Sequence, residues 1–174
     1  QDEVVGHAVR AVYMYSGMAD VAKETNDKKL KKACKNLWEN LTQKRMYITG
    51  GIGPTHHNEG FTFDYDLPNE TAYAETCASI ALANWAHRMF HMEPNSEYID
   101  VLERTIYNGI ISGLNLSGDR FFYSNRLAAL PKEIEANPHG FSLQRQPWFD
   151  VACCPTNIVR FLPSIPGFIY SKNN

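Results

Sequence analysis

Residues 4–41, VVGHAVRAVYMYSGMADVAKETNDKKLKKACKNLWENL, decide the fold. Between Val4 and Ala22, the residues Val4, Val5, Ala8, Val9, Val12, Tyr13, Met14, Met18 and Val21 cover most of a helical circumference, so this helix is predicted to be buried on nearly all sides. Thr25, Asn26 and Asp27 then offer capping side chains. Leu30, Ala33, Cys34, Leu37, Trp38 and Leu41 recur at helical spacing among lysines and predict a second helix with one wet face. An inner helix followed by an outer amphipathic one is an α/α hairpin, the unit of helical barrels and solenoids.

The same alternation returns downstream. The run Ala72 to Met92 is apolar almost all round, with Asn69 or Thr71 as its expected cap. Pro94, Asn95 and Ser96 mark a stop and a new cap, and Tyr98, Val101, Leu102, Thr105, Ile106 and Ile110 line a fourth helix. Leu114 to Tyr123 carries Ser117-Gly118-Asp119 between two apolar stretches and predicts a β-hairpin, while Lys132 to Pro147 is a polar excursion. Pro155 suits the first turn of a last helix through Phe161, which Pro163 and Pro166 then disrupt. No repeat of fixed period is present, which disfavours a regular solenoid. The predicted class is mainly α with a short hairpin.

Composition narrows the function classes. The 174 residues carry 17 Lys+Arg against 19 Asp+Glu, so a nucleic acid is not expected as a partner. With 44% apolar and 21% charged residues, eleven glycines and nine prolines, the chain is globular rather than disordered or collagen-like. No apolar run approaches the ~20 residues needed to cross a bilayer, and no leader opens the chain, so no membrane partner is expected. The expectation is a soluble domain, taken as cytoplasmic, although neither compartment nor oligomeric state is legible. Both ends look cut, as in an excerpt from a longer protein.

Three groups of residues carry potential chemistry. Four cysteines are too few for a disulfide scaffold of this length, and adjacent Cys153 and Cys154 pair with each other only through a strained ring. Together with Glu75-Thr76-Cys77 they offer three thiols and a carboxylate, a donor set for zinc, iron-sulfur or copper(I) that the carboxylate tilts towards zinc. Residues i and i+2 on a regular helix diverge, so both pairs need irregular backbone; inert buried cysteines are the alternative, and the one expected for Cys34. The second group is a loop between Tyr47 and Asn69, rich in glycine, in which a Glu59 shielded by Phe61 and Phe63 would suit general-acid work. Solvated His56 and His57, a hydrogen-bonded core His7, and turn or capping roles for Asp64 and Asp66 are the plain expectations beside it. Third, Phe121, Phe122, Tyr123, Trp148 and Phe149 flank these segments and fit either a sugar platform or a core.

These residues fall in strings that resemble the β-L-arabinofuranosidases of glycoside hydrolase family 127 and its sister family 146: Thr49-Gly50-Gly51-Ile52-Gly53, Glu59 with Phe61-Thr62, Tyr65-Asp66-Leu67-Pro68-Asn69, Tyr73-Ala74-Glu75-Thr76-Cys77-Ala78, Tyr107-Asn108-Gly109, Phe121-Phe122-Tyr123 and Cys153-Cys154-Pro155. The resemblance implies that residues 1–174 are part of an (α/α)6 catalytic barrel whose β-sandwich companions lie elsewhere in a longer protein. It implies zinc held by Glu75, Cys77, Cys153 and Cys154, with Cys153 as nucleophile and Glu59 as acid/base. His7 and Tyr123 match positions that contact the sugar, so the implied partner is a carbohydrate, an L-arabinofuranoside. Retaining hydrolysis would then use sulfur in place of the usual second carboxylate. Gly60 departs from a position where many relatives carry alanine, and Pro163 interrupts a segment usually more helical. Other sugar-contacting histidines of the family have no counterpart after Gln1, so this segment alone is expected to lack full activity.

Overall fold

A computed structural model describes residues 2–130, 142 and 144–171. The first hairpin forms, but its first helix starts at Ala8 rather than Val4 and is not buried on nearly all sides: Val5 before it and Met14 and Val21 on it are exposed, because the neighbouring helices cover one face of it. Helix α1 (Ala8–Thr25) ends on Asn26 in the left-handed region, and α2 (Lys28–Lys44) begins under Asp27, whose carboxylate accepts from the backbone N–H groups of Lys29 and Leu30. Helix α3 (Thr76–Met92) lies between α1 and α4 (Ser96–Arg104), while α2 flanks α1. On α1, Ala8, Ala19 and Ala22 are buried, as are Ala78, Ala81 and Ala86 on α3, and small side chains on facing helices let the axes approach closely.

Aromatic rings close the far end of this core. Trp38 of α2 packs edge-on to Trp85 of α3 and to Tyr98 of α4, and Tyr15 of α1 lies 5.1 Å from Trp85. Each such buried ring contributes on the order of 2 to 3 kcal/mol through area removed from water. Four helices are thus tied before the site is reached.

Two elements differ from expectation. Helix α3 starts at Thr76 rather than Ala72, and its cap position is Glu75, which supplies no capping hydrogen bond because its carboxylate points elsewhere. Neither Asn69 nor Thr71 caps it. The predicted hairpin is reduced to one antiparallel bridge, Leu114 with Phe121, around a turn in which Asp119 accepts from Ser117 and Asn115. Phe121 turns instead to Gln146, whose backbone it bonds in both directions. No strand longer than a single bridge occurs among the described residues.

Helix α4 runs on into a wider turn over Thr105–Ile110, where Ile111 N–H reaches Ile106 O. Gly50 makes that packing possible: at φ +83° its backbone lies against Thr105, and a Cβ there would stand 2.5 Å from Thr105 Oγ1. The last long helix, α5 (Cys154–Phe161), carries Pro155 in its first turn, and beyond Phe161 the chain tightens through Leu162–Ser164 into the short α6 (Pro166–Ile169). Most of the polar excursion, 132–141 and 143, lies outside the described residues.

Candidate metal and catalytic centre

The starts of α3 and α5 meet, and the four donors sit where they do. Glu75 lies just before α3 and Cys77 in its first turn; Cys153 lies just before α5 and Cys154 opens it. This is the irregular backbone that the spacing requires. Ala74, at φ +39°, turns the chain into α3 and is strapped on both sides, its N–H donating to Gly53 O and its carbonyl accepting from Asn125 N–H. Tyr123 O accepts from Thr76 N–H, so the Phe121-to-Tyr123 segment is bonded directly to the helix start.

The ligand atoms of Glu75, Cys77, Cys153 and Cys154 all lie within 4.8 Å of one another. Cys77 Sγ is 3.2 Å from Cys153 Sγ and 3.4 Å from Cys154 Sγ, and Glu75 Oε1 is 3.3 Å and 3.5 Å from the same two sulfurs. A tetrahedral ion with metal–sulfur bonds of about 2.3 Å spaces its sulfurs at about 3.8 Å, so a small outward movement would admit one. Glu75 is 1% exposed, and its Oε2 is buried with no hydrogen-bond partner. A carboxylate taken out of water this completely calls for a positive partner. The set fits a metal ion, and three thiols with one carboxylate fit zinc.

Electrostatics separates the three sulfurs. Burial drives the Cys154 thiol up, and the contact with Cys153 drives Cys77 up. Thiol hydrogen bonds from Cys154 and Cys77, joined by one from Tyr123, hold Cys153 far below the usual thiol range. Burial, with the Cys153 charge beside it, pushes Glu75 up to about 8. Cys153 is also the one sulfur of the four cysteines that is partly exposed, at the edge of a cleft of about 380 Å³ reached by Tyr13, Asn157 and Arg160. Cys34 is buried apart from the group, its thiol raised by burial to about 11, as expected for an inert core cysteine.

Glu59 stands on a separate loop. Its backbone is left-handed at φ +46°, and its side chain is 37% exposed. Tyr73 Oη donates to Glu59 Oε1 at 2.8 Å, and His7 Nε2 lies 2.8 Å from Oε2. The expected shield of phenylalanines is not what holds it, since Phe63 is 70% exposed. His7 is hydrogen-bonded, as expected, but its partner is the loop carboxylate. His56 and His57 are exposed, with the His56 ring edge-on to Tyr73 at 5.4 Å.

The loop is bolted down by residues whose part in the site the sequence does not announce. Arg45, almost wholly buried, donates to Val4 O, Thr62 O, Asp64 and Glu3, which joins the segment entering His7 to the segment leaving Glu59. Asp64 is this anchor rather than a turn or capping group: it also accepts from Lys44 and Asn40, and these contacts hold its carboxyl down at about 2. Gly60 bridges His7, and a Cβ there would lie 2.7 Å from Gly6 O. Of the aromatic group, Phe121, Tyr123 and Phe149 pack together, while Trp148 is half exposed.

Residues 1–167 match the sequence profile of the family described as Beta-L-arabinofuranosidase, GH127 catalytic domain. The chain belongs to glycoside hydrolase family 127. A non-reducing end beta-L-arabinofuranosidase of Bifidobacterium longum subsp. longum is 44% identical over 176 residues, a match covering 100% of this chain and 27% of that protein. Among solved structures, the family 127 beta-L-arabinofuranosidase of Geobacillus stearothermophilus T6 superposes with a TM-score of 0.95 at 52% identity, over 99% of this chain and 27% of that one. A second family 127 beta-arabinofuranosidase gives 0.91 at 52% identity, over 100% and 26%. The chain therefore spans about a quarter of the length of its family 127 relatives, and its helices correspond to part of an α/α barrel. None of its described helices is long and apolar enough to cross a membrane.

Proposed function

We propose that, within a protein of its relatives' length, this segment supplies the centre of a retaining glycoside hydrolase that releases terminal β-L-arabinofuranose. One observation carries the reading: among the four gathered donors, Cys153 alone is partly exposed, at the edge of a cleft. Glu75, Cys77, Cys153 and Cys154 would hold zinc. When bound, the ion supplies positive charge that keeps all three sulfurs ionised and neutralises Glu75.

The chain's own residues then divide the work. Cys153 Sγ attacks the anomeric carbon, forming a carbon–sulfur bond as the glycosidic carbon–oxygen bond breaks, and no separate base is needed. Glu59 gives its proton to the departing oxygen. Now ionised, it takes a proton from water, whose oxygen displaces Cys153 from the anomeric carbon. Two displacements return the original configuration. His7, bonded to Glu59, and Tyr123, bonded to Cys153, are suited to contact the sugar between the two groups.

A second reading rests on the ligand set itself, since four protein donors are the pattern of a structural zinc that staples loops. Full-length protein carrying Cys153→Ser, assayed for L-arabinose release from a synthetic β-L-arabinofuranoside alongside its zinc content, separates them. The catalytic reading expects release to fall at least ~10³-fold with the fold retained. Release that survives would overturn it.

A further inference from the structure

Two tyrosines serve the two groups in the same manner. Tyr123 bonds Cys153, and its ring lies 6.4 Å from that of Tyr73, which bonds Glu59. Tyr73 is 3% exposed, and its hydroxyl donates to Glu59 Oε1 at 2.8 Å from a position closed to water. It stands two residues before Glu75, yet the left-handed Ala74 between them sends Glu75 into the thiols and Tyr73 towards the loop. Backbone bonds from Tyr73 N–H to Pro54 O and from Ala74 N–H to Gly53 O hold that direction.

Resting on the acid/base reading of Glu59, we propose that Tyr73 is a positioning residue for that carboxyl. It donates to Oε1 and so confines the transferable proton to Oε2, where His7 Nε2, 2.8 Å away, accepts its hydrogen bond until the leaving oxygen takes that place. As the proton passes from Oε2 to the leaving oxygen, Glu59 gains negative charge, and the Tyr73 O–H bond to Oε1 strengthens at that moment. Tyr73 neither gains nor loses a proton. Its contribution scales with how much proton donation the leaving group requires, and a residue that only filled space would show no such scaling.

The test compares kcat/KM of full-length Tyr73→Phe on methyl β-L-arabinofuranoside, a poor leaving group, and on the p-nitrophenyl glycoside, which departs with little help. Tyr73→Phe keeps the ring against His56 and Tyr123. Losing a hydrogen bond to a charged group is expected to lower the methyl glycoside value about ten-fold or more and the p-nitrophenyl value less than about three-fold, with zinc content unchanged. Equal losses on both substrates overturn the proposal. Should the variant fold poorly, 3-fluorotyrosine at position 73 keeps shape and hydroxyl while donating more strongly, and an unchanged ratio of the two substrates overturns it equally. Glu59→Ala, run in parallel, expects a far larger loss on the methyl glycoside than on the p-nitrophenyl one. Without that difference the acid/base assignment fails and the Tyr73 role with it; with it, a flat Tyr73→Phe ratio removes Tyr73 alone.

Discussion

The thiol group and the Glu59 loop are built on opposite principles. Glu75, Cys77, Cys153 and Cys154 are mounted on two helix starts and are mostly buried, and an ion is what would complete them. Glu59 sits in the left-handed region of an open loop and is held by side chains from far along the chain: His7 before it, Tyr73 after it, and Arg45 across from it. One half has the donors to be organised by a ligand and the other is held by a network of hydrogen bonds. On the proposed reading a nucleophile needs a fixed charge state and an acid/base needs a fixed direction, and the two constructions would suit those needs.

Removing the ion should break the comparison most strongly. A chelator, followed by verified metal loss in the full-length protein, is expected to abolish L-arabinose release, lower the melting temperature by many degrees and leave the thiols open to oxidation. Unaltered melting after metal loss would mean that the thiol half stands without its ligand.

Arg45→Met strikes the other half alone. Breaking a buried guanidinium from two carbonyls and two carboxylates is expected to cost about 2 to 4 kcal/mol, read in denaturant unfolding, and to lower hydrolysis with zinc still bound in full. Zinc loss in this variant would show that the halves are not separate. Gly60→Ala is smaller: its Cβ must displace the Gly6 carbonyl beside His7, an overpacking expected to cost about 1 kcal/mol or more and to reduce turnover several-fold. Unchanged turnover would show that the loop tolerates this shift without turning Glu59.

The mildest effect is one of pH. Bonds from Lys44 and then Arg45 lower the Asp64 carboxyl from 3.8 to about 2, so its contribution to stability is complete above about pH 4 and disappears as pH falls through about 2. Melting temperatures between pH 5 and pH 2 should fall less steeply for Asp64→Asn than for the unaltered protein, and parallel curves would count against the anchor.

The same division explains what could be read from sequence. Helices α2 and α4, the Asp27 and Asn95 caps and the Pro155 start are local patterns, and they stand where periodicity and capping put them. The metal donors were legible because thiols are rare and adjacent ones rarer. Arg45 and Asp64 were not legible as anchors, since a charged residue at a helix end or near a proline has the same local signature whether it is solvated or pinned 19 residues away. The late start of α3 went unread for a similar reason: Ala72, Tyr73 and Ala74 are apolar enough to continue a helix, and only backbone partners at Gly53, Pro54 and Asn125 pull them out of it. Tyr73 shared that blindness.

The distance along the chain between the two halves of the thiol group has a consequence for synthesis. Glu75 and Cys77 leave the ribosome 78 and 76 residues ahead of Cys153, which at 5 to 20 residues per second is an interval of about 4 to 15 seconds. Throughout that interval the nascent domain carries half a chelate, one carboxylate and one thiol, able to hold an ion only loosely or to react with whatever oxidant is near. Helices α1 to α4 can already have packed around Trp85 by then, but Cys77 lines the same cleft as Cys153, Asn157 and Arg160, so its cover is complete only when the second pair arrives.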